Sequence, residues 1–225
     1  MKRAADGGSA SPHRIGVFGG TFDPPHEGHV SAARDVADAL GLDLVLWLVA
    51  RRSPHKPDQL LTADELRLKM VREATAADPR FQVDDSELRR PPPSYTVDTL
   101  EELRTRYPAA LLYLIIGVDQ FRAFEAWHEP DRVRELAALA VMDREGKPVA
   151  ELTTEAVAVG SMPQPSHTPP DVGPLPIVGV PVRRIDVSST EVRARAAAGR
   201  PLEGLVPREV RRIIEREGLY RTPAA

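Results

Sequence analysis

Apolar residues along this chain fall into two spacings. Apolar runs occur at Ile15 to Phe18, Leu42 to Val49 (broken only by Asp43), Leu111 to Ile116 and Leu139 to Met142. Their length and branched side chains suit strands buried on both faces. Between them, apolar residues return every three or four positions, the period of a helix packed on one side. That reading gives helices over Val30 to Leu40, Thr62 to about Ala77, and from near Thr96 to just before Pro108. Asp119 to Trp127 and Pro130 to Leu136 are also helical in pattern, and Val83 marks a further short strand. Thr62 with Glu65, and Ser188 with Glu191, have the capping-box spacing that opens a helix. The second of these helices is expected to end at Gly199, after a last strand at Arg184 to Val187. A final helix begins around Pro207 and closes at Gly218. Seven prolines between residues 163 and 181 predict an irregular, mobile loop.

Strands alternating with helices predict an α/β fold. The expected architecture is a Rossmann-like, doubly wound parallel sheet with a small helical part at the C-terminus, residues 188–221. There is no internal repeat, and no linker divides the chain. Residues 14–225 therefore read as a single domain behind a disordered tail, residues 1–13, rich in Ala, Gly and Ser.

Composition narrows the chemistry. The chain has 225 residues, 42% of them hydrophobic, enough for a sizeable core. A net charge of −3 argues against a general polyanion binder, so an anionic substrate must be held by local positive groups. Arg89 and Arg90 precede three prolines and read as a solvated loop, not a nucleic-acid patch, because aromatics are sparse there. The absence of cysteine excludes disulfides and thiolate metal sites. No signal peptide and no membrane-length apolar stretch is visible, which predicts a cytoplasmic protein.

The run Gly19-Gly20-Thr21-Phe22-Asp23-Pro24-Pro25-His26-Glu27-Gly28-His29 joins the first strand to the first helix. In an open parallel sheet, ligands bind at such a turn, beyond the carboxyl ends of the strands. Glycines let backbone N–H groups approach phosphate oxygens, and the helix start adds partial positive charge. His26 and His29, three residues apart, can lean into one pocket. The spacing is neither the G-x-G-x-x-G of dinucleotide-binding dehydrogenases nor a P-loop. It is one residue short of H-E-x-x-H, and no third ligand is evident, so no protein-built metal site is expected. The alternative for the histidines is a local structural role at the turn. Later, Ser188-Ser189-Thr190 with Arg193 offers hydroxyls, N–H groups and a guanidinium at another helix start. Taken alone, that segment is an ordinary helix cap.

Together the two segments closely resemble the paired signatures of the nucleotidylyltransferase superfamily. The first also resembles the H-I-G-H of class I aminoacyl-tRNA synthetases, but no lysine-rich partner loop is present. Within the superfamily, the sequence is most similar to the bacterial nicotinate mononucleotide adenylyltransferases. Ser53 to Pro57 resembles a basic loop of that branch, Pro93-Ser94-Tyr95-Thr96 its P-S-Y-T, and Ile116-Gly117-Val118-Asp119 its I-G-x-D. Phe124 to His128 resembles its F-x-x-W segment, and Gly218-Leu219-Tyr220-Arg221 its ending. Departures are His128 after Trp127, and Asp143 and Glu145 on either side of Arg144.

The resemblance implies AMP transfer from ATP to nicotinate mononucleotide. ATP and transition-state phosphates are expected against Gly19, Gly20, Thr21, Phe22, His26 and His29. Lys56, Arg144, Ser188, Ser189, Thr190 and Arg193 are expected to hold the triphosphate, and Gly117 and Asp119 to contact ribose or adenine. Thr96 and Val97 would present N–H donors to the nicotinate carboxylate while Trp127 stacks on its ring. Mg²⁺ would arrive with ATP, bridge phosphate oxygens and keep several waters. Rival readings are a transferase of the same fold with another acceptor or donor, a nucleotide-binding regulator without turnover, and a protein-interaction module.

Overall fold

The structure, a computed structural model, describes residues 12–51, 61–143, 153, 156–157, 159 and 174–221. The first apolar run becomes β1 (Arg14–Gly20), followed by α1 (Glu27–Leu40) and β2 (Leu44–Val49). Then come α2 (Asp64–Thr75), β3 (Phe81–Asp84), a single turn α3 (Ser86–Arg89), and α4 (Thr96–Arg106). β4 (Leu111–Gly117) runs into α5 (Val118–Arg122) and a 3₁₀ turn at Phe124–Ala126, then α6 (Pro130–Leu136) and β5 (Ala138–Asp143). The chain ends with β6 (Ala156–Val157), β7 (Ile177–Pro181), α7 (Ser189–Ala197) and α8 (Arg208–Arg216).

The seven strands form one sheet in the order β3-β2-β1-β4-β5-β7-β6. Every pairing is parallel, with Phe18 opposite Trp47 and Ile115 opposite Ala140. All carboxyl ends therefore lie along one edge, and the chain reverses direction across the sheet between β1 and β4. A crevice for a ligand opens at that switch. Alternate residues of β1 point to opposite faces. Phe18 joins Val36, Trp47 and Val178 beneath α1, whereas Ile15 and Val17 join Leu100, Leu114 and Val133 beneath α4 and α6. Val192, Val206, Val210 and Ile213, from the C-terminal part, belong to the same cluster as α1. That part is thus packed onto the sheet's core.

Several elements differ from the sequence reading. Residues 177–181, expected within the proline-rich loop, form β7, paired on both sides. Residues 163–173 of that loop lie outside the described residues. Arg184 to Val187, expected as the last strand, is instead a connection: Arg183 forks onto Asp35 of α1, and Arg184 pairs with Asp186. Thr62 does not cap α2, whose N-cap is Ala63. Its N–H goes to Asp23 and its carbonyl accepts from Arg67. Residues 1–11 of the expected tail lie outside the described residues, while His13 is tied to the sheet by its N–H to Asp43 and its carbonyl to Leu111. Ser188 does cap α7, its Oγ accepting from the Glu191 N–H at 3.1 Å. Among the described residues no helix is long and apolar enough to cross a membrane.

Candidate active site

The loop after β1 is shaped by close packing. Phe22 is buried with a positive φ of 48°, a conformation non-glycine residues rarely adopt. Its ring lies against Phe18 and Trp47, with centroids at 5.6 and 5.2 Å. A Cβ on Gly20 would come within 2.8 Å of that ring, so the tight turn requires glycine there. The Phe22 side chain thus anchors the loop in the core, leaving only its backbone available to a phosphate.

His26 is the N-cap position of α1 and His29 lies in its first turn. The imidazoles stack with centroids 3.6 Å apart, and His29 meets the edge of Phe22 at 5.2 Å. His29 Nδ1 accepts the His26 backbone N–H at 3.2 Å. A neutral imidazole with Nδ1 accepting carries its proton on Nε2. His29 is therefore fixed as a donor directed away from its own turn.

Five long-range bonds hold this loop. Arg193 of α7 donates to the Asp23 carbonyl at 2.7 Å, and Ser189 Oγ donates to the Pro24 carbonyl at 2.9 Å. From α2, Arg67 reaches the Thr21 carbonyl at 2.7 Å. From the C-terminus, the Tyr220 hydroxyl donates to Asp23 Oδ1 at 2.6 Å, while Asp23 Oδ2 accepts the Thr62 N–H. The two signature segments are thus bonded to one another. Arg193 serves as a brace through one of its nitrogens, a role beyond the phosphate contact expected of it. Burial and the Asp23 carboxylate raise the Tyr220 phenol well above its ordinary value, so it stays protonated and donating. Tyr220→Phe leaves the buried Asp23 carboxylate one donor short and is expected to cost about 1–3 kcal/mol of unfolding free energy. A urea midpoint equal to wild type would show that the bond contributes nothing.

On the other side of the loop, beneath α4, a cavity of about 560 Å³ opens at the carboxyl ends of β1, β2 and β4. Of the expected site residues, Gly19, Gly20, Thr21, Thr96, Asp119 and Trp127 line it. A Cβ on Gly19 would meet nothing within 4 Å, so that residue borders open space. α4 starts at Thr96, which lines the cavity, and no side chain caps that helix start. Val97 has its side chain in the core and can contribute only its backbone. Trp127 packs on Phe124, centroids at 5.4 Å, and His128 stacks on Tyr95 at 4.2 Å. Asp119 is almost fully exposed, close to Arg122. Gly117 donates its N–H to Gln120 Oε1 at 3.3 Å. Lys56 and Arg144 lie outside the described residues.

Sequence reasoning missed Glu87, Ser94, Thr99 and Gln120, which line the same cavity. It also missed Arg67, although residues 67, 70, 71 and 74 share the buried stripe of α2. Arg90 is not a free loop cation, because it donates to the Thr99 hydroxyl.

A parallel sheet with its crevice at the β1–β4 switch, and two signature segments bonded to one another through the loop after β1, define an α/β protein of nucleotidylyltransferase type. The chain belongs to the cytidylyltransferase-like family, whose profile matches residues 17–195. It is 42% identical over 208 residues to a protein of Thermus thermophilus named "Probable nicotinate-nucleotide adenylyltransferase", covering 92% of this chain and all of that one. A Thermomicrobium roseum protein of the same name is 38% identical, covering 94% of each chain. In structure, the chain superposes on Plasmodium falciparum nicotinic acid mononucleotide adenylyltransferase complexed with NaAD, with a TM-score of 0.69 at 15% identity. That match covers 92% of this chain and 97% of the other and speaks to the fold.

Proposed function

We propose that the protein transfers AMP from Mg-ATP to nicotinate mononucleotide, releasing pyrophosphate and forming deamido-NAD in NAD biosynthesis. The relatives' names support this reading. The observation in the site that carries it is the pairing of two features in one cavity, the uncapped start of α4 and Trp127, bordered by Gly19 to Thr21. The helix start suits a carboxylate and Trp127 offers a flat face to a pyridine ring.

The acceptor phosphate, with a second pKa near ~6, is largely a dianion at neutral pH and needs no general base. It attacks the α-phosphorus of ATP in line. An oxygen–phosphorus bond forms as the bond to the pyrophosphate oxygen breaks, and pyrophosphate carries away the electron pair. Catalysis must then come from positioning and from stabilising charge on the phosphoryl oxygens. His29, held with its Nε2 proton outward, is assigned to the α-phosphoryl oxygens, with His26 stacked behind it. The start of α7 and the remaining donors of Arg193 are assigned to the outer phosphates, and Asp119 to ribose or adenine. Among the described residues no three His, Asp or Glu side chains converge on a metal position. Mg²⁺ is assigned to the nucleotide substrate, where it would offset triphosphate charge and keep most of its water.

Purified protein with Mg-ATP and a panel of acceptors tests the reading through pyrophosphate release. The panel holds the nicotinate and nicotinamide mononucleotides, phosphopantetheine and a phosphate-free nicotinate riboside. Turnover is expected with nicotinate mononucleotide and none with the riboside. Release with phosphopantetheine alone would move the protein to another branch of the family.

A further inference from the structure

The cavity wall below the start of α4 is polar. Glu87, Ser94 and Thr99 line it, and each is at most 8% exposed. The Ser94 hydroxyl makes no hydrogen bond among the described residues. Thr99 donates to Glu87 Oε1 at 2.9 Å, and the Arg90 guanidinium donates to the same Thr99 oxygen. Arg90 also approaches Glu102 at 3.6 Å. Thr99 Oγ1 lies 3.4 Å from the carbonyl of Tyr95, the N-cap residue of α4. A carboxylate and a guanidinium therefore flank one hydroxyl, within about a helical turn of the uncapped start of α4.

We infer that Glu87 and Arg90 set the charge preference of the acceptor pocket, Glu87 opposing and Arg90 favouring an anionic group at the start of α4. The inference deepens the nicotinate mononucleotide reading and rests on it. Charges this close to a partly enclosed cavity act on a group bound inside it. A carboxylate on the pyridine ring feels both, while a carboxamide of the same shape feels little of either. Glu87 and Arg90 are thus specificity-determining residues of opposite sign. If their only task were to tie α3 to α4 through Thr99, changing either would affect both acceptors alike.

That difference decides the experiment. kcat/KM is measured for nicotinate and nicotinamide mononucleotide with Mg-ATP, for wild type, Glu87→Gln and Arg90→Gln. Burial raises the Glu87 carboxyl above its ordinary value, so the assays run at about pH 8.5 to favour its ionised form. The acid-to-amide ratio within one preparation does not depend on how much of the protein is correctly folded. The ratio is expected to rise at least about threefold in Glu87→Gln and to fall at least about threefold in Arg90→Gln. Ratios that stay within about twofold of wild type, or that move in the same direction in both variants, overturn the inference while the function stands. A wild type that uses neither acceptor overturns the function and this inference with it.

Discussion

His29→Ala is expected to lower kcat at least about 100-fold while the fold persists. The imidazole is fixed on three sides: its Nδ1 by the His26 N–H, one face by the His26 ring, and its edge by Phe22. With Nδ1 accepting, the single ring proton sits on Nε2, the donor assigned above to the phosphoryl oxygens. Such a preorganised donor contributes most where charge develops in the transition state, and losing one costs about 2.7–4 kcal/mol of barrier. The apolar face of α1, Val30, Ala33, Val36, Ala37 and Leu40, is untouched by the change, so thermal stability should move little. The check is kcat at saturating Mg-ATP and acceptor, with circular dichroism on the same sample. An unchanged turnover number would remove His29 from the chemistry.

Arg67→Met is expected to destabilise the protein by about 3–5 kcal/mol. Arg67 is fully buried, and its Nε donates to the Thr62 carbonyl at 3.1 Å. One terminal nitrogen donates to the carbonyls of Thr21 and Ala50, at 2.7 and 2.8 Å. The other meets Asp64 Oδ1 at 2.6 Å. One side chain thus joins the signature loop, the segment after β2 and the entry to α2. Methionine fills much of the volume but donates nothing, leaving three carbonyls and a carboxylate without this partner. Loss of a rigid Thr21 should also lower activity in whatever protein remains folded. Chemical denaturation gives the number directly. A loss below about 1 kcal/mol would mean that water replaces the guanidinium without cost.

The strands that were easy to read are those whose burial leaves a plain mark on the sequence. β2, β4 and β5 are continuous apolar runs because helices cover both of their faces. β7 was hidden by its flanks. Pro174 and Pro176 precede it and Pro181 ends it, so none interrupts the run Ile177-Val178-Gly179-Val180 that pairs on both sides. The rule that proline avoids central strands applies to interior donors and did not apply to these positions. Arg184 to Val187 misled for the opposite reason. Its alternation arises from a connection in which Val187 is buried while Arg184 and Asp186 pair in solvent. The capping pattern at Thr62 failed because a stronger acceptor, Asp23, claims the Thr62 backbone.

In the site, the motif residues were legible because chemistry constrains their order along the chain. The residues that hold the motif in place were not. Tyr220 meets Asp23 across almost the whole sequence, and Glu87 meets Thr99 from a turn with no helical period of its own. In the sequence Arg90 reads as part of a solvated loop and Arg67 is not singled out, since only the folded structure shows the hydroxyl and the carbonyls they serve. The sequence thus offered candidates for phosphate contact more readily than the residues that hold those candidates in place.

The central claim is adenylyl transfer to an acceptor carrying a nicotinate carboxylate. Its most direct test is kcat/KM of the unmodified protein for nicotinate and nicotinamide mononucleotide under identical Mg-ATP. Backbone donors at Thr96 and Val97 would make charge-assisted bonds to the acid, worth about 1.5–3 kcal/mol each. The account predicts that the acid is preferred at least about tenfold. Equal values for the two acceptors would contradict it and assign the α4 start and Trp127 to a pocket that does not read the carboxylate.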